Sequence, residues 1–191
     1  MPGRQAKLIS QGLLRRMLTY ADRSPYPARN RGIVLLSVKA GLRACEIARL
    51  DWSMVLDPRG KISDTLCVRD SIAKKRGGRS IPIHPKLRAA LIALKRISPA
   101  NGPIIRSVRG QALRPNSVVN WFVAMFRELG VEGCSSHSGR RTFITAVTRR
   151  AHQAGCSLRD VQLLAGHRSI EVTQGYIDGD TQGQRRLVSM L

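Results

Sequence analysis

Acidic side chains are scarce in this 191-residue chain: twelve Asp and Glu stand against thirty-three Lys and Arg, a formal charge of +21. Such an imbalance points to a polyanionic partner. Aromatic residues are also few, three Phe, three Tyr and two Trp. Trp121, Phe122 and Phe126 sit at helical spacing among apolar neighbours and read as core, not as stacking platforms. Proteins that bind single strands or RNA loops usually expose more aromatic surface, so duplex DNA leads as the partner. The four cysteines (Cys45, Cys67, Cys134, Cys156) show no Cys-x-x-Cys pair, and reduced thiols in a cytoplasmic setting are expected. Cys134 and His137 are three apart, but no second ligand pair follows, so no metal site is expected. No run approaches about eighteen apolar residues, which excludes a spanning helix. The N-terminus also lacks the apolar segment of a signal peptide. What is present is 42% hydrophobic residues, enough for a real core in one domain.

Charge is unevenly placed. From Ser71 to Arg127 there are twelve basic residues and no acidic one. A groove that tracks phosphates has this bias, because each neutralised phosphate releases counterions. A solvated basic surface would have it too.

Periodicity predicts a mainly α protein with a small antiparallel β-sheet, an α+β fold in a single domain. Ser10 is placed to cap a helix bearing Leu13, Leu14, Met17 and Leu18, which Pro25 and Pro27 break. A buried helix over Ile33 to Ala40 ends at Gly41, and a short helical turn follows at Cys45 to Arg49. Three short segments, Asp51 to Leu56, Thr65 to Val68 and Arg79 to Ile83, read as a three-stranded sheet. Helices are then expected at Pro85 to Ile97, Pro115 to Leu129, Gly139 to Ala154, Ser157 to Leu164 and Ile170 to Tyr176. A last amphipathic piece runs from Gln182 to Leu191.

Four places combine cationic or polar residues with local order. Arg43 follows the Gly41 helix stop, and Glu46 lies three residues later, where a capping carboxylate would sit. Lys74, Lys75, Arg76 and Arg79 crowd a hairpin turn that solvation alone would explain. Ser136 can cap the helix carrying His137 and Arg140 at i and i+3, a good phosphate site at a helix N-terminus. Gly166-His167 is followed nine residues later by Tyr176. Nine residues at about 100° each leave the two roughly half a turn out of phase on one helix. A break in the helix between them, or a tyrosine delivered from elsewhere, is therefore required before both can address one atom.

The order Arg43, Lys74, His137-x-x-Arg140, Gly166-His167, Tyr176 resembles the signature of the tyrosine recombinases, or phage integrase family. The resemblance runs from about Ser10 to Tyr176 and includes Gly-Leu-Arg-x-x-Glu-Ile-x-x-Leu over Gly41 to Leu50. It implies a packed helical catalytic domain with a small sheet and a covalent mechanism on duplex DNA. Tyr176 would attack phosphorus, giving a 3′-phosphotyrosyl bond and a free 5′-hydroxyl. Arg43 and Arg140 would clamp the non-bridging oxygens, with His167 as a third donor. His137 would accept the phenol proton, and a hairpin lysine would protonate the leaving oxygen. In the family that lysine precedes a Val/Ile-Pro pair, which selects Lys74, with Lys75 the alternative. Glu46 would orient Arg43. Lys75, Arg76, Arg79 and Arg141 are expected DNA contacts.

No cofactor, metal or ATP is expected, because the covalent bond preserves the energy needed to rejoin. About forty residues precede Arg43, too few for the separate N-terminal core-binding domain of most members, so either a short form without that domain or an isolated catalytic domain is expected. The tail after Tyr176 is expected to dock on a neighbouring protomer in a tetramer, or else on its own core. A type IB topoisomerase-like enzyme and a non-catalytic DNA-binding regulator are the alternative readings.

Overall fold

The computed structural model describes residues 6–73, 78–99, 101–176 and 188–189. Eight α-helices lie among them. The first three are α1 (Gln11–Arg23), α2 (Pro27–Ala40) and α3 (Ala44–Arg49), and α4 (Pro85–Arg96) and α5 (Pro115–Glu128) follow the sheet. The last three are α6 (Ser138–Ala151), α7 (Leu158–Ala165) and α8 (Ile170–Gln174). Strands β1 (Thr65–Val68) and β2 (Arg79–Pro82) pair antiparallel, with Leu66 opposite Ile81.

The mainly α fold with a small sheet is therefore present, but the sheet has two strands. The segment read as a first strand instead forms a 3-10 turn over Trp52–Met54. Only single bridges flank it, Asp51 to Pro103 and Leu56 to Ile62. The Asp51 carboxylate accepts from the Ser53 N–H at 2.9 Å and closes the chain into a turn. Trp52, Met54 and Val55 are all buried, a spacing that strict alternation does not produce.

Helix α2 is the centre of the molecule. Ile33, Val34, Leu35, Leu36 and Val38 are all buried, as expected of a helix packed on every side. It meets α1, α4 and α6. The helix starts six residues earlier than the sequence suggested. Pro27 opens it at the first helical position, where its missing N–H costs nothing. Its end is as read: Gly41 adopts φ +64 and donates its N–H to the Leu36 carbonyl. A side chain at Gly41 would also collide with the Phe143 ring, its Cβ lying 2.4 Å from Cδ1, so this stop needs glycine twice over.

Helix α6 crosses α2 at very close range. A Cβ on Gly139 would lie 2.1 Å from the Ser37 hydroxyl, so only glycine lets the two backbones approach. Ser10 caps α1, accepting from the Leu13 N–H. The aromatic group reads as expected: Phe122 and Phe126 are buried and stacked, with centroids 6.1 Å apart. Trp121 packs edge-on against Phe122 and Tyr20.

Candidate active site

The chain stop at Gly41 delivers Arg43 as the residue preceding α3. Its guanidinium is partly exposed (23%) and donates to Glu46 Oε1 at 3.0 Å. Glu46 stands at the third position of α3, where it accepts from the Arg43 backbone N–H at 2.8 Å. The carboxylate is fully buried and is gripped from the other side by Arg79, with Nη1 to Oε1 at 3.0 Å and Nη2 to Oε2 at 2.9 Å. Burial alone would raise the Glu46 carboxyl. The bidentate Arg79 and then the Arg43 backbone and guanidinium outweigh that and hold it below the usual range.

Two helix C-termini converge on Arg140. Its Nη1 donates to the Gly41 carbonyl at 2.8 Å and its Nη2 to the Ala165 carbonyl at 2.6 Å. These are the negative ends of α2 and α7, which suits a cation. Two of five guanidinium donors are thus fixed, and the others have no hydrogen-bond partner among the described residues. Burial, then Arg43 and Arg79 nearby, pull the group down to about 9. It therefore stays charged at neutral pH, in a site rich in positive charge that favours an anion.

His167 follows Gly166, which ends α7 in the left-handed conformation. Its backbone is held on both sides by Gln162, whose carbonyl accepts from the His167 N–H and whose Nε2 donates to the His167 carbonyl. Its Nδ1 lies 3.0 Å from the Thr173 hydroxyl. Burial, then Arg140, Arg43 and Arg79, pull the imidazole down to about 4, so the ring is neutral at physiological pH. Tyr176 stacks on it, centroids 5.6 Å apart and planes 22° from parallel. The required break is present: α8 is five residues long and Tyr176 sits in the turn beyond it.

Arg43, His137, Arg140, Arg141, His167 and Tyr176 line one open cleft of about 420 Å³. The cleft therefore gathers hydrogen-bond donors around a phenol, an arrangement fitted to a tetrahedral anion and a nucleophile. Among the described residues no cluster of three or more His, Cys, Asp or Glu is arranged to hold a metal ion.

The chain matches the phage integrase family model over residues 7–182. It belongs to the phage integrase family. It is 28% identical over 160 residues to tyrosine recombinase XerC of Brucella suis biovar 1 (strain 1330), covering 81% of this chain and 48% of that protein. Among solved structures, XerA recombinase matches with a TM-score of 0.73 at 20% identity, covering 100% of this chain and 65% of that one. The Tn1549 transposon integrase in complex with a circular intermediate DNA matches with a TM-score of 0.75 at 16% identity, covering 100% and 67%. The chain spans about half the length of the curated relatives it matches.

Five of the six residues that the integrase resemblance singles out thus meet in the cleft, with Glu46 behind Arg43. The sixth, Lys74, lies outside the described residues, as do Lys75 and Arg76. Two expectations need correction. Arg79 is not a surface contact for DNA: its side chain is 3% exposed and bound to Glu46. Strand alternation places it on the buried face with Ile81, a signal the sequence carried. Ser136 does not cap α6. His137 occupies the cap position, and the Ser135 hydroxyl accepts from the His137 N–H at 3.2 Å. Arg141 lines the cleft and donates to the Ala6 carbonyl at 2.6 Å.

Proposed function

We propose that this integrase-family chain is the catalytic unit of a site-specific recombinase that cuts and rejoins duplex DNA. The observation that carries the reading is the convergence of Arg43, Arg140, His137 and His167 around Tyr176 in a single cleft. A phosphodiester resists attack because its anionic oxygens repel nucleophiles and an alkoxide leaves poorly. Arg43 and Arg140 meet the first problem by binding the non-bridging oxygens, whose charge grows in the transition state. Their orientation is set beforehand by Glu46 and by the two helix C-termini, so little reorganisation is needed when the phosphate arrives. His167 donates a further hydrogen bond.

The Tyr176 oxygen attacks phosphorus while its proton passes to His137, directly or through the phosphate. The bond to the 5′ oxygen breaks, and Lys74 supplies the proton that completes a 5′-hydroxyl. Products are a 3′-phosphotyrosyl ester and a free 5′-hydroxyl, one phosphoester exchanged for another. Reversal with a different 5′-hydroxyl rejoins strands without ATP. Two such exchanges on each of two sites give recombination, for which a tetramer on DNA, in the cytoplasm, is the assembly we propose.

A duplex nicked beside the cleavage point loses the short 5′ fragment and traps the covalent species. The wild-type chain should accumulate an adduct resistant to denaturation, and Tyr176→Phe should form none. An adduct in both variants would sink the assignment of the nucleophile.

A further inference from the structure

Thr173 is fully buried, and His167 Nδ1, at 3.0 Å, is the one polar partner of its hydroxyl among the described residues. A buried hydroxyl whose hydrogen finds no acceptor is destabilising, because its desolvation goes uncompensated. Only one arrangement gives that hydrogen an acceptor: the threonine donates and Nδ1 accepts. A ring that accepts at Nδ1 while neutral must carry its hydrogen on Nε2. Nε2 is the nitrogen without a protein partner among the described residues, and the ring lines the cleft with Arg43 and Arg140. We propose that Thr173 is a positioning residue that fixes His167 as the Nε2–H tautomer and turns that hydrogen towards the scissile phosphate.

This inference rests on the recombinase reading and refines one residue's part in it. The opposite tautomer would present a lone pair to an anion and repel it. A protonated ring would donate at both nitrogens and leave the threonine hydrogen unsatisfied. A neutral imidazole beside three arginines fits the same picture. The threonine also acts on the nucleophile, because its backbone carbonyl accepts from the Tyr176 N–H at 3.0 Å. One residue of α8 thus holds both the phosphate donor and the turn that carries the phenol.

The test has a structural and a kinetic arm. In nitrogen-15 spectra of the wild-type chain at neutral pH, His167 should show a pyridine-like Nδ1 and a protonated Nε2. Thr173→Val keeps the shape and removes the hydroxyl. It should give a mixture of tautomers and slow adduct formation on the nicked duplex about tenfold, the lower end of what losing an orienting partner costs a ligating histidine. Thr173→Ser restores a donor and should recover both the spectrum and the rate. A wild-type spectrum with the hydrogen on Nδ1 overturns the proposal even if every variant is poorly folded. So does a Thr173→Val protein that keeps the wild-type spectrum and rate. Failure of the recombinase reading would look different, with no adduct from the wild type whatever its tautomer.

Discussion

Removing the Glu46 carboxylate would take four charge-assisted hydrogen bonds from Arg43 and Arg79 at once. Breaking a buried ion pair from one side typically costs about 3–5 kcal/mol, so Glu46→Ala should lower stability by about that much in urea unfolding. Acid should act in the same direction. A carboxyl held below its ordinary value of 4.5 contributes stability that is full above that value and lost as pH falls through the lower folded value. His167 adds an earlier loss. Its ring is near 4 when folded against 6.5 when free, so the unfolded chain gains its proton first as pH drops between those values. Stability measured against pH should therefore begin to decline below about 6.5 and steepen below about 4.5. A flat profile between pH 6.5 and 4.5 would contradict the His167 assignment, and no further decline below 4.5 would contradict that of Glu46. Glu46 was legible from its spacing to Arg43; Arg79 as its second partner was not, because the hairpin's run of cations masked the alternation of β2.

Helix positions carry the site more than any loop does. The ends of α2 and α7 hold Arg140, the start of α3 holds Glu46, and α8 holds His167 through Thr173. Periodicity and the Gly and Pro stops made most of these elements readable. What it could not reveal was how closely they pack. The contact of Gly139 with Ser37 joins residues about a hundred positions apart and leaves no local signal. Gly139→Ala should force α6 off α2, cost about 1–3 kcal/mol as overpacking does, and displace His137 and Arg140 from the cleft. Ser37→Gly in the same chain removes the clashing hydroxyl and Cβ and should recover part of both losses. Full stability in the single variant would refute the close approach. Gly175, before the nucleophile, behaves differently: at φ −61, and with 3.7 Å to the nearest atom, its conformation does not require glycine.

The formal charge of +21 overstates the positive surface free to meet a polyanion. In the acid-free stretch, Arg79 is buried on Glu46, Arg88 binds Asp64 at 2.7 Å, and Arg106 donates to the carbonyls of Pro103 and Asn101. Lys95 lies over the Trp52 ring at 5.0 Å. Composition alone therefore pointed to a class of partner but could not count the contacts. Duplex binding should weaken with salt, with a log–log slope of magnitude about 4 or more, equivalent to several phosphates. Arg88→Ala should leave that slope unchanged. A slope near zero would contradict a phosphate-tracking surface. We propose that Tyr176 becomes esterified to a 3′-phosphate, and the chemistry of the trapped complex can show it. Proteolysis and mass spectrometry should find the nucleotide on the peptide containing Tyr176, and the released fragment should accept phosphate from polynucleotide kinase without prior dephosphorylation. A nucleotide on any other residue, or a released fragment already bearing a 5′-phosphate, would contradict the account.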